Sequence, residues 1–348
     1  MPASDQQARD DFAGQANGCR RMGSPFTATV CELLGERLDA RSRFGARILN
    51  WPGVPQADAL ALRAAGGLNA LARSGRCEAL TALYPPMAPG PDALWRGIAA
   101  AIADHDAFLT AHLDSAPQTN EVKRCAVLLG GALIVARQTG LPLEVIEIGA
   151  SAGLNLGFEG YRYALGAADW GAPDAGVTIR SDWRGNLPPL DSPIVVTGRR
   201  ACDLNPLDPS DPADRERVMS YIWPDQADRL AATAAAFDAA SAMPWRVERA
   251  DAADWVEARL AQPPFEGRAR LLMHTIMWQY LPELTKARIA AAMERAGTVA
   301  TSETPLFWLR MEPDAVKGSA VVTLTDWPGG CERELGRADF HGRWVDWR

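Results

Sequence analysis

Six residues, Leu143-Glu-Val-Ile-Glu-Ile148, make a short β-type apolar run that stops on Gly149, and a second glycine, Gly153, follows close behind. A buried strand that feeds a turn of small residues and then a helical segment leaves few architectures open. An α/β sheet uses this arrangement to offer a nucleotide-like ligand its backbone and a helix N-terminus. Neither glycine carries a Cβ, so the chain can turn sharply and a ligand can approach its backbone. Glu147 stands two residues before the first glycine, where the carboxyl end of the strand meets the crevice.

The flanks of this stretch differ in rhythm. Before about residue 140 the pattern is helical, with apolar residues at three- and four-residue spacing over Thr27 to Leu38, Asp58 to Ala72 and Pro91 to Leu113. The pair Gly66-Gly67 falls inside the second of these and predicts a break in that helix. Gln118-Thr-Asn-Glu121 opens a further helix through Ala126 to Arg137, with Thr119 or Asn120 as N-cap, Glu121 in its first turn and Gly140 as its stop.

From Leu143 onward strand-like runs appear at Glu144 to Ile148, Val177 to Arg180, Ile194 to Thr197, Trp245 to Glu248 and Arg270 to Met273, then at Pro305 to Arg310, Ala320 to Thr325 and Arg343 to Trp347. Helical stretches separate several of them, at Pro212 to Ala240, Ala252 to Ala261 and Pro282 to Ala296. Such alternation argues for a mostly parallel sheet covered on both faces. The last strands have no long helix between them, which predicts an antiparallel hairpin at one sheet edge. The expected organisation is an all-helical region over 1–120 followed by an α/β domain over 121–348.

Composition removes several function classes. A hydrophobic content of 47% and a charged content of 23% are ordinary for a soluble globular chain of 348 residues. The formal net charge of -7 gives no electrostatic case for nucleic acid or an anionic membrane. No apolar h-region opens the chain, and the longest apolar run, Ala126 to Ala136, is interrupted by Gly130 and Gly131 and reads as a buried helix. Six scattered cysteines form no Cys-x-x-Cys pair and four histidines form no His-x-x-x-His, so no metal site is expected and the thiols read as free in a cytoplasmic protein.

Gly149-Ala-Ser-Ala-Gly153 matches two known patterns. One is Gly-x-Ser-x-Gly, the nucleophile elbow of α/β-hydrolases, with Ser151 as nucleophile and Asp251 with His274 or His341 as its partners. That fold needs several strands before the elbow and a His-Gly-rich oxyanion loop, and this chain has neither signal. The other is the first motif of class I S-adenosylmethionine-dependent methyltransferases, acidic-x-Gly-x-x-x-Gly, which Glu147 to Gly153 resembles. Cys202-Asp-Leu-Asn-Pro206 resembles the end of that family's second strand, Arg249-Ala-Asp-Ala252 the end of its third, and Leu272-Met-His-Thr-Ile-Met-Trp-Gln-Tyr-Leu-Pro282 its fourth strand and following loop. About 40 residues separate Gly153 from the Ile194 run, longer than a usual crossover, so either Val177 to Arg180 is the second strand or an insertion lies there. Over nearly its whole length the chain also resembles an uncharacterised bacterial domain-of-unknown-function family. Gln118-Thr-Asn-Glu121, Glu147 to Asn155, Asp203-Leu-Asn-Pro-Leu-Asp208 and Trp223-Pro-Asp-Gln226 carry that likeness, which brings no activity with it.

The methyltransferase resemblance implies a Rossmann-like, methyltransferase-type sheet and S-adenosylmethionine as cofactor. It implies that Glu147, Gly149, Ala150, Ser151, Gly153 and Asn155 lie along the cofactor, that Asp203 binds the ribose, and that Asp251 and Ala252 reach the adenine. Arg124 or Glu121 would pair with the amino acid end. His274 and Tyr280 would lie nearest the transferred methyl, with His274 as base, since a free imidazole titrates near neutrality. Because the sulfonium is already electrophilic, alignment in a dry site is the main requirement. A small molecule is the expected acceptor, with no nucleic acid and no membrane as partner. A non-catalytic protein that keeps the sheet for binding is the third possibility. Oligomeric state is not legible.

Overall fold

The computed structural model describes residues 4–348. The chain divides into two compact units: one runs to Thr119 and takes in Pro212–Ala231, and the other comprises Asn120–Asp211 and Ala232–Arg348.

The first unit is helical: α1 (Asp5–Arg21), α2 (Pro25–Arg37), α3 (Arg43–Leu49), α4 (Leu60–Arg73), α5 (Glu78–Thr81) and α6 (Pro91–His112). Local chemistry sets their starts. Ser4 and Gln7 form a capping box on α1, Pro25 and Pro91 occupy first-turn positions, and Ser42 accepts the Gly45 N–H at the start of α3. Phe12, Leu34, Phe44, Ile48, Leu68 and Leu71 form the centre of one apolar core. The glycine pair does not break α4. A Cβ on Gly66 would lie 2.6 Å from the ring of Tyr221, and one on Gly67 would lie 3.2 Å from His112. The glycines therefore serve close packing, and tertiary contact overrides their weak helix propensity.

The second unit begins with α7 (Cys125–Thr139) and β1 (Leu143–Ile148), followed by β2 (Arg162–Leu165), β3 (Ala168–Trp170), β4 (Thr178–Gly185) and β5 (Val196–Asp203). Next in the chain come α8 (Pro212–Ser220), which belongs to the first unit, and α9 (Ala227–Ser241), which begins in it; the two divide the stretch expected as one helix at the Trp223-Pro224 step. The chain continues through β6 (Glu248–Arg249), α10 (Ala252–Leu260), β7 (Ala269–Thr275), α11 (Glu283–Gly297), β8 (Leu306–Pro313), β9 (Ala320–Trp327), β10 (Cys331–Ala338) and β11 (Trp344–Trp347).

The eleven strands lie in the order β3-β2-β4-β11-β10-β9-β8-β7-β1-β5-β6. The block β6-β5-β1-β7-β8 is parallel throughout, and β8 through β11 are successively antiparallel. Every residue of β7 is buried, as a parallel strand covered on both faces requires. Side-chain alternation separates the two faces. Ile146, Leu272 and Trp308 pack with Ala253 and Val256 of α10 and Ile289 and Met293 of α11. Leu309 instead lies where a Cβ on Gly131 of α7 would be. α7 is buried almost all round through Ala136, as its run of apolar and small residues requires.

One expectation is corrected here, and one open alternative is decided. The closing strands do not form an edge hairpin: β9, β10 and β11 lie inside the sheet, and the edge beyond them belongs to β4, β2 and β3. Val177 to Arg180 is not the second strand of the parallel block. Of the two alternatives the insertion holds: Thr178 starts β4, the last strand of an insertion between β1 and β5, and β4 pairs with β11. No helix of the described residues is long and apolar enough to cross a membrane.

Candidate functional site

The neighbours of β1 explain why its carboxyl end matters. After the β2–β4 insertion the chain places β5 on one side of β1, and it later adds β7 on the other. At such a reversal the connections diverge and leave a crevice outside the strand ends, where open α/β sheets bind ligands. The Gly149 turn sits at that point.

The turn is held by its neighbours. Gly149, Ser151 and Gly153 have φ of +67°, +55° and +72°. Glycine takes this region freely, whereas Ser151 does so at a cost that its surroundings must offset. They do so through β5: the Ala150 N–H donates to the Cys202 carbonyl at 3.2 Å, and the Ser151 N–H to Asp203 Oδ2 at 2.9 Å. Asp203 Oδ1 accepts the Asn205 N–H at 2.8 Å, and the Leu207 N–H donates to the Ser151 carbonyl at 3.1 Å. Asp203 thus ties two strand ends together. Beyond Gly153 the chain forms a short 3-10 turn, Leu154–Gly160, in place of an α-helix.

Beneath the turn is a buried polar cluster. Glu147 is 2% exposed; Asn155 Nδ2 donates to its Oε1 at 3.3 Å, while its Oε2 has no hydrogen-bond partner. Burial pushes the Glu147 carboxyl up to about 8, against the Asn155 bond and the Arg124 charge that favour its ionised form. Asn155 Oδ1 accepts the Cys125 thiol at 3.2 Å, and burial holds that thiol well above the ordinary cysteine range. The Ser151 hydroxyl is also buried without a hydrogen-bond partner.

The segment before α7 closes the cluster. The cap of its first, 3-10 turn is Glu121, which accepts the Lys123 N–H; it is neither Thr119 nor Asn120. Asn120 instead accepts the Leu154 N–H at 2.9 Å. Arg124 donates to the carbonyls of Phe340 at 2.8 Å and Thr275 at 3.4 Å, linking three loops.

His274 ends β7, fully buried. Its Nδ1 is 2.7 Å from Glu312 Oε1, and its Nε2 has no hydrogen-bond partner. Its ring stacks on Trp278 at 5.1 Å and 12°. Glu312 also accepts the Met277 and Trp278 N–H groups, each at 3.2 Å.

The structure therefore gathers Glu147, Gly149, Ala150, Ser151, Gly153, Asn155, Asp203 and Arg124, with Glu121 beside them. Asp251 follows β6 and caps α10, accepting the Ala253 and Asp254 N–H groups at 2.9 and 3.2 Å, and Ala252 is the buried first residue of that helix. Tyr280 stands apart at 76% exposure. Glu312, Cys125 and Asn120 were not anticipated. The signal for Glu312 was an acidic residue in a strand run that is apolar but for Arg310, since a carboxylate is rarely buried unless it is paired. No group of three or more metal-ligating side chains occurs among the described residues.

The model of a family described as an uncharacterized protein conserved in bacteria (DUF2332) matches residues 9–347. The chain belongs to that family. No curated protein and no solved structure matches it. Membership in DUF2332 names no activity. An open cavity of about 390 Å³ lined by Gly140, Pro142 and Val195 lies at the amino ends of β1 and β5, away from the cluster.

Proposed function

We propose that this DUF2332 chain binds S-adenosylmethionine at the carboxyl ends of β1, β5 and β7 and methylates a small-molecule acceptor. The observation that carries the reading is the Glu147-x-Gly-x-x-x-Gly153 turn at the point where the strand order reverses. The parallel block, counted in its own chain order, runs third, second, first, fourth, fifth; this is the order of a Rossmann-like, methyltransferase-type sheet. Two buried polar atoms without hydrogen-bond partners, Glu147 Oε2 and Ser151 Oγ, fit a ligand that brings hydrogen-bonding groups of its own.

Glu147, the Gly149–Gly153 backbone and Asp203 would hold the cofactor, and Asp251 at the end of β6 would face its base. Bound there, the sulfonium supplies an electrophilic methyl group. The chain's part is to align the acceptor and exclude water, with His274 taking a proton where the acceptor carries one.

Calorimetric titration with S-adenosylmethionine and S-adenosylhomocysteine tests the reading. Micromolar binding that is lost in a folded Glu147→Ala variant supports it. Ligand at a hundred times its dissociation constant should also stabilise the fold by about 2.7 kcal/mol in a thermal shift. No binding at millimolar cofactor sinks it.

One observation favours a second reading, a serine hydrolase: Ser151 has positive φ and an uncommitted hydroxyl. Against it, no histidine is hydrogen-bonded to Ser151, Asp251 is committed to capping α10, and the acid beside His274 is Glu312. Ester turnover abolished by Ser151→Ala would decide for the hydrolase.

A further inference from the structure

We infer that residues 276–280 form a cap over the end of β7, latched shut by Glu312. The inference rests on geometry alone and holds whichever ligand the site takes.

The inner side of the cap covers two features of the site. The Cβ and Cγ of Met277 lie 2.9 Å from where a Cβ on Gly149 would be, so Met277 occupies the space above the glycine turn. Trp278 lies flat on the His274 ring, whose Nε2 is buried without a hydrogen-bond partner. The outer side is open: Gln279 and Tyr280 are exposed, and so is Leu284 just beyond.

The hinge is Ile276, at φ +50°. A β-branched residue is an outlier there, because its side chain crowds the backbone, and such a conformation persists only when its surroundings impose it. What imposes it is β8. The Ile276 N–H donates to the Met311 carbonyl at 2.9 Å, and the next residue, Glu312, takes both following N–H groups together with His274 Nδ1. β8 thus fixes the hinge through the Met311 carbonyl, and the Glu312 carboxylate holds the inner face of the cap and the imidazole beneath it. Glu312 engages the Nδ1 side of the ring, so Nε2 is the ring nitrogen left for whatever enters when the cap lifts. The closed form is held by these bonds together with the packing of Met277 and Trp278, so a change at Glu312 that removes part of that hold shifts the balance toward the open form.

Hydrogen exchange and acylation of the intact protein test this. In Glu312→Gln, the Met277 and Trp278 amides should exchange at least tenfold faster while β1 and β8 stay protected. His274 should then become acylated by diethyl pyrocarbonate in the folded protein, as mapped by peptide mass spectrometry. Unchanged exchange at 277–278 overturns the latch. So does a rise shared equally by β1, β7 and β8, which would make Glu312 a strut of the sheet. If Glu312→Gln does not fold, Trp278→Ala leaves the carboxylate in place and removes the cover. Acylation of His274 in that variant supports the cap, and protection as complete as in the unmodified chain refutes it.

Discussion

Glu147 gives the sharpest quantitative test, because its environment fixes both the sign and the size of an effect. Its carboxyl is moved from an ordinary value of 4.5 to about 8, chiefly by burial. Below pH 4.5 the side chain is neutral in folded and unfolded chains and costs nothing. As pH rises, the unfolded chain ionises first, so stability is lost progressively until the folded group also ionises near pH 8. Glu147→Gln keeps the shape and an acceptor for Asn155 but cannot ionise. Relative to that variant, the native chain should lose about 1 kcal/mol at pH 5, about 3 kcal/mol at pH 7 and about 5 kcal/mol above pH 8. Any fixed cost of the glutamine amide shifts all three values equally, so the trend carries the test. Urea unfolding of both proteins at the three pH values measures it through the midpoint difference. A stability difference that stays flat from pH 5 to pH 8 would refute the claim that Glu147 is neutral in the folded protein.

Two further outcomes follow from other parts of the fold. His112, pulled down to about 4 by burial and by the Arg217 charge, should act in the opposite direction: its contribution is full above pH 6.5 and is lost as pH falls toward 4. His112→Phe should therefore flatten acid unfolding over that window, by no more than about 3 kcal/mol, as read in denaturant titrations. Gly297→Ala at the end of α11 would place a Cβ 2.2 Å from the Trp327 ring, and should lower stability by about 1–3 kcal/mol with a matching fall in thermal midpoint.

The parts that could be read from the chain were those written in local chemistry. α2, α4 and α6 showed helical spacing, and α10, α11, β1, β7, β8 and β9 showed apolar runs close to their observed bounds. The glycine turn and its neighbours Glu147 and Asp203 were legible because such turns need glycine and a strand end needs an anchor. β10 was not: Cys331-Glu-Arg-Glu334 alternates with nothing apolar, since that half of the strand is solvent-exposed on both faces. β2, β3 and the two-residue β6 were too short for a period to show. The role of Glu312 depends on the parallel pairing that sets β8 beside His274, a contact 38 residues apart in sequence that no local pattern records. Asn120 shows the same limit. It has the side chain of an N-cap, yet it serves a backbone N–H of the glycine turn.

The insertion between β1 and β5 also bears on how this sheet can be assembled. After β1 the chain travels to the opposite extreme of the sheet, lays down β2, β3 and β4, and returns to place β5 beside β1. The inner flank of β4 is β11, whose residues come about 160 positions later. A nascent chain therefore carries β4 with that flank unpaired while most of the second unit is still being made. Exposed strand edges of this kind invite pairing with other chains. The four residues Trp344–Trp347 supply that flank, so β4 gains its inner partner only once the chain has been made past β10.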